Sequence, residues 1–166
     1  MKKSLIVCTI LLFIFSGCSK SGTNGNNNNT SQAAMLTADV DGTQITFATA
    51  VATREPTGIH SIGIAALNLS GAISIGIASA DTIITGTFIG NYNVPSNNTV
   101  TLNYVSGSIG YASSGYSPDT CTVTITSMTK DTVKGIFNGN VKLNTGSSSV
   151  TEHIITNGKF TAAFKN

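Results

Sequence analysis

The chain has little charge. Of its 166 residues, 10% are Asp, Glu, Lys or Arg, against about a quarter in an ordinary soluble domain. A nucleic-acid interface needs clustered Lys and Arg, and none are clustered. A disordered chain driven by like-charge repulsion is excluded on the same ground. There is no Trp, and there are two His and three Cys. No C-x-x-C, H-E-x-x-H, G-x-S-x-G or G-x-G-x-x-G occurs, so the spacings that build zinc sites, nucleophile elbows and dinucleotide cradles are missing. The sequence therefore predicts a non-enzymatic protein with no cofactor, no metal and no nucleic-acid partner. Long apolar runs are scarce too. The longest, Leu5–Phe15, has eleven residues, interrupted only by Cys8 and Thr9, where a membrane-spanning helix needs about 18 or more.

That run reads as an export signal. Lys2 and Lys3 form a basic start, and the run ends at Phe15-Ser16-Gly17-Cys18. Small residues suit a peptidase cleft, and a Cys follows them directly. This resembles the bacterial lipobox, in which the Cys thiol is acylated and the chain is cut before it. Phe15 stands where the box usually has Leu. The expectation is a signal peptide over 1–17 and a lipid anchor, palmitate among its acyl chains, on Cys18. Each buried methylene contributes about 0.8 kcal/mol, and firm anchoring takes two chains, which a diacylated Cys18 supplies.

Removing the signal changes the balance. Loss of Lys2 and Lys3 leaves seven basic against seven acidic residues, so the mature chain is formally neutral. Cys8 leaves as well and Cys18 carries lipid. Cys121 then stands alone, with no disulfide partner. It opens an alternating strand and reads as a small buried hydrophobe.

Residues 18–34 form a tether. Ser19 to Ala34 contains four consecutive Asn and no large apolar side chain, so it cannot bury enough surface to offset its ordering entropy. A flexible chain of that length reaches about 20–24 Å, or about 55 Å when fully extended.

From Met35 to Asn166 the period is two. Ile73, Ile75 and Ile77 alternate with Ser74, Gly76 and Ala78; Val100, Leu102 and Tyr104 alternate with Thr and Asn; Val123 and Ile125 alternate with Thr. Val133 to Leu143 places every second residue on one face, and Ile154, Thr156, Gly158, Phe160, Ala162 and Phe164 are expected to share another. Turn chemistry divides the runs: Asp41-Gly42 before Gln44–Ala52, Asn68–Gly71 between the echoing strands Ser61-Ile-Gly-Ile-Ala and Ser74-Ile-Gly-Ile-Ala, then Pro95–Asn98, Lys130-Asp131 and Asn144–Ser149. These signals predict a single all-β domain over 35–166, an antiparallel sandwich or barrel of about eight to ten strands.

Several motifs recur in a recognisable order: Met35-Leu-Thr-Ala-Asp-Val-Asp-Gly42 before Phe47, Gly90-Asn-Tyr-Asn-Val94, Cys121-Thr-Val-Thr-Ile-Thr126, Val133-Lys-Gly-Ile-Phe137 and Ile155-Thr-Asn-Gly-Lys-Phe160. Across 35–166 the chain resembles a family of small all-β lipoproteins of Bacteroidota. Cys121 stands where that family usually has Gly. The resemblance implies an all-β lipoprotein domain on a bacterial envelope. The family carries no assigned activity, so it lends no functional residues.

Candidate contacts come from Val105–Thr120, which is rich in Ser, Gly and Tyr and almost free of charge. Binding surfaces use that mixture, because Tyr gives rigid amphipathic area and Ser and Gly give adaptable hydrogen bonds. Tyr111 and Tyr116, with Tyr92, are the expected ligand contacts, and a glycan, peptide or protein is the expected partner. A structural or accessory role without a small-molecule ligand, and a calycin-like barrel holding an apolar ligand, are the alternatives. His60 and His153 read as solvated strand residues. Asp39 and Asp41, two apart, read as a solvated strand residue and half of a turn. Asp81-Thr82-Ile83 and Asp131-Thr132-Val133 resemble a short glycosylation motif of Bacteroidota. Ser19 follows Cys18 where an inner-membrane retention signal would place Asp, so an outer-membrane anchor is expected, facing either side.

Overall fold

The computed structural model describes residues 33–55, 57–91, 98–113, 120–143 and 152–165, all within one compact unit, Ser31–Asn166. Cys18, the tether, Tyr92 and Tyr116 lie outside the described residues. The described residues form eleven strands: β1 Met35–Val40, β2 Thr43–Phe47, β3 Ala50–Glu55, β4 His60–Asn68, β5 Gly71–Ser79, β6 Gly86–Asn91, β7 Asn98–Ser106, β8 Ile109–Ala112, β9 Thr120–Met128, β10 Thr132–Leu143 and β11 His153–Phe164. Among the described residues there is no helix.

The strands form one hydrogen-bonded sheet in the order β2-β1-β11-β3-β4-β5-β7-β8-β10-β9-β6, and β10 also pairs with β11. That extra pairing closes a ring of seven strands, β11-β3-β4-β5-β7-β8-β10. The ring is folded into two facing layers. One layer is the meander β3-β4-β5-β7-β8; the other is β2-β1-β11-β10-β9-β6. A closed ring of seven strands, with two further strands hydrogen-bonded beyond β11 and two beyond β10, fits the expected sandwich or barrel. At one corner β10 turns from β9 to β8 through Lys142 and Leu143. At the other, Ala163 and Phe164 of β11 pair in parallel with Val51 and Ala52 of β3, a local departure from the expected all-antiparallel pairing.

The core lies between the layers. Ile62, Ile64, Ile73, Ile75, Ile77, Val100 and Leu102 meet Leu36, Phe47, Val123, Ile125, Val133, Phe137 and Ile155 in one buried cluster. The alternation of apolar and small polar residues produces this, since successive side chains point to opposite faces. A β-carbon at Gly139 of β10 would stand 3.0 Å from Leu102 Cδ2 of β7, so the two layers touch there. The echo between β4 and β5 has a simple geometric result. Because Ile-Gly-Ile reads the same in both directions, antiparallel pairing sets Ile62 opposite Ile77, Gly63 opposite Gly76 and Ile64 opposite Ile75.

Three expectations are corrected. First, Gln44–Ala52 is not one strand. Phe47 and Ala50 are both buried yet three apart, so the alternation slips, and the chain leaves β2 for β3 in the opposite layer. Second, β11 changes phase. Ile155 is buried, whereas Ile154 is 52% exposed and Thr156 is exposed. The cause is a bulge at Asn157, which has φ +52°. Three residues of β11 there span two of both β1 and β10. Third, the Ser/Gly/Tyr stretch is not all loop. β7 turns at Gly107, φ +59°, as the first position of a type II′ hairpin requires, and returns as β8. The Asp41-Gly42 turn is as expected, with positive φ at both residues, as a type I′ turn demands.

Candidate functional site

Tyr111 lies on β8, half-buried, rather than in a loop. It is register partner to Tyr104, and the two rings stack with centroids 6.0 Å apart. The His153 ring meets both edge-on, 4.4 Å from Tyr111 and 5.4 Å from Tyr104. His153 Nδ1 donates to Asp41 Oδ2 at 2.6 Å, and the Ile154 amide donates to Asp41 Oδ1 at 2.8 Å. These two bonds, the histidine's first, hold the Asp41 carboxyl below its usual range. His153 is thus a packed and hydrogen-bonded residue, not a merely solvated one. Asp39 has a separate partner, accepting from Asn157 Nδ2 at 2.7 Å, so the two carboxylates do not converge. Among the described residues no Ser or Thr hydroxyl is hydrogen-bonded to His153, and no cluster of His, Cys, Asp and Glu could hold a metal.

Cys121 is buried. Burial pushes its thiol up to about 11, and a hydrogen bond from the Ser113 hydroxyl offsets part of that. The hydroxyl is fixed because Ser113 Oγ also accepts the Leu102 amide at 2.8 Å.

Sequence reasoning missed a cleft at the other end of the sandwich. Cross-strand partners share a face. Arg54 pairs with Ile62, and His60 with Ser79. Since Ile62 and Ser79 are buried, Arg54 and His60 extend the inner face of their layer past the last apolar row. The segment after β5 crosses this opening, with Ile83 buried and Ile84 63% exposed. Met128, from the end of β9, completes the wall. The cleft is open to solvent and has a volume of about 420 Å³; Arg54, Glu55, His60, Ile62, Ile83, Ile84 and Met128 are among the residues that line it. That volume lies in the range of small-molecule sites, about 300–1,000 Å³. Arg54 is fixed in place: its Nη2 donates to the Lys130 carbonyl at 2.9 Å, and its guanidinium lies 4.5 Å from the centre of the Phe164 ring. The residues come from β3, β4, β9 and the β5–β6 connection, and each is unremarkable in sequence.

The outer face of the β3-β4-β5-β7 layer carries two shallow depressions of about 270 and 280 Å³. They arise because Thr53, Gly63, Gly76 and Thr101 form one register row, leaving a glycine floor between two threonine walls. Of the two glycosylation-motif threonines, Thr82 is exposed beside the cleft, while the Thr132 hydroxyl is hydrogen-bonded to Thr129.

No family model, curated protein or solved structure matches the chain.

Proposed function

We propose that the chain is an envelope-anchored bacterial lipoprotein whose β domain is a non-catalytic binding module. The observation that carries the anchor is Phe15-Ser16-Gly17-Cys18 following a basic start and an eleven-residue apolar run. The observation that favours binding over a purely accessory role is the cleft bounded by Arg54, His60, Ile83 and Met128. A filled, closed sandwich would offer no such opening. The non-catalytic reading rests on the sequence, which has no nucleophile-elbow, zinc-protease or dinucleotide-binding spacing. The residue after Cys18, Ser19, favours the outer membrane over the inner. Of the tyrosines expected to contact a glycan or protein, Tyr111 is already packed on Tyr104 and His153, which favours the cleft as the binding end; Tyr116 and Tyr92 lie outside the described residues.

Metabolic labelling with an alkynyl palmitate analogue tests the anchor. The wild-type chain should take up label, and Cys18→Ala should not. Equal labelling of both, or labelling of neither, would overturn the lipoprotein assignment.

A further inference from the structure

We infer that the cleft between Arg54 and Met128 binds a small amphipathic carboxylate, its apolar group inside and its anionic end at Arg54. This deepens the binding-module reading and is independent of the anchor.

The cleft is polarised. Its inner wall is Ile62, Ile83, Ile84 and Met128, and its volume is about 420 Å³. A wall of this kind binds by removing apolar surface from water, and it is unfinished as it stands. Ile84 is 63% exposed at the mouth. An exposed isoleucine beside an apolar opening is surface that a ligand would cover. Met128 suits a variable occupant, since its unbranched thioether adapts to irregular shapes.

The anionic end follows from Arg54. A guanidinium carries five N–H donors in a planar fork that matches a carboxylate. Arg54 spends one on the Lys130 carbonyl, and that bond together with the Phe164 ring holds the fork in one place. An already ordered arginine loses less entropy on binding than a free one. His60 lies on the same inner face and offers a second hydrogen-bonding group. Glu55, the acidic member of the lining, is register partner to Ser61. By strand alternation both belong to the outer side of their strands, whereas Arg54 belongs to the inner side.

The chain provides its own reporter. It contains three Met, at 1, 35 and 128. Met128 lines the cleft, while Met35 pairs with Thr161 in the opposite layer. The experiment uses the purified full chain, with ¹³C-methyl-labelled methionine, titrated with 4-phenylbutyrate or the neutral 4-phenylbutanamide. The Met128 methyl resonance should shift saturably with the carboxylate while Met35 stays fixed. The amide should bind about tenfold more weakly, as expected for loss of a charge-assisted pair. Arg54→Gln should bring the carboxylate down to the amide's affinity. Ile84→Glu, at an exposed position where folding tolerates it, should abolish the shift with either probe. A Met128 resonance that never moves, equal movement of Met35 and Met128, equal affinity for the two probes, or an Ile84→Glu chain that binds normally would each overturn the proposal. Those outcomes leave the palmitate-labelling result untouched, so failure of the cleft and failure of the anchor are read separately.

Discussion

The ring of Phe160 lies across Gly135, its register partner on the neighbouring strand: a β-carbon at Gly135 would stand 2.5 Å from Phe160 Cζ. The relationship is reciprocal. Phe137 is register partner to Gly158, and a β-carbon there would stand 2.6 Å from the Phe137 ring. Each strand thus contributes one Phe and one Gly, and each Gly clears a bed for the other's ring, a pairing that shields glycine backbone in sheets. Val133-Lys-Gly-Ile-Phe137 and Asn157-Gly-Lys-Phe160 are two halves of one packing device. Gly135→Ala should destabilise the domain by about 2–4 kcal/mol, through overpacking and a clash with the Thr124 carbonyl. Adding Phe160→Leu should cost less than the two single changes combined, because the substitutions share one contact. Urea denaturation of the four variants of the cycle measures both.

Asn157 sets the phase of β11, and its role is conformational. At φ +52° most side chains are strained by about 1–2 kcal/mol. Asn tolerates the position, and its amide is further held by Asp39. Asn157→Ala should therefore lose about 1–2 kcal/mol, while Asn157→Gly, which relieves the strain but forfeits the amide bond, should lose less. A glycine variant less stable than the alanine variant would show that the Asp39 contact, not the backbone, is what matters.

The Asp41–His153 contact gives stability a dependence on acid. The folded-state pKa of Asp41 lies below its unfolded value of 3.8. The contribution is therefore present above the unfolded pKa and is lost as pH falls through the folded one. Asp41→Asn keeps a residue suited to the type I′ turn and removes only the charge. The wild-type chain should be the more stable of the two at neutral pH, and the difference should vanish in strong acid. The effect is modest, because Asp41 is half-exposed. Thermal melts across the acid range read the crossover directly.

Cys121 should be chemically silent in the folded protein. Its thiol is buried and raised to about 11, so little thiolate forms at neutral pH. In the mature chain, a thiol reagent should find no reactive group in the native state and one after unfolding, since the proposed lipid would block Cys18. A group that reacts in the native state would contradict either the burial of Cys121 or the acylation of Cys18, and peptide mapping identifies which.

Much of the fold was legible wherever a strand keeps strict alternation. Ile73, Ile75 and Ile77 face inward as their spacing requires, and the repeated Ser-Ile-Gly-Ile-Ala predicted its own hairpin. Legibility failed where a single residue breaks the count. Nothing in a period-two pattern marks Asn157 as a bulge, because the signal lies in its backbone conformation. The β2–β3 break was hidden inside an unbroken run of β-formers, with only the odd spacing of Phe47 and Ala50 to betray it. The cleft was invisible for a different reason. Arg54, His60, Ile83 and Met128 are ordinary residues far apart in sequence, and only ring closure places them around one opening. Tyr111 was expected as a ligand contact; its packing partners, Tyr104 and His153, could not be inferred without the β7–β8 hairpin and the start of β11.

The central claim is that this domain hangs from a lipid on Cys18. Mass spectrometry of the amino-terminal peptide of the protein purified from bacterial membranes tests it most directly. The account predicts a peptide beginning at Cys18 and carrying the mass of a diacylglyceryl group. An unmodified peptide beginning at Cys18, or a mature chain beginning at any other residue, would contradict it.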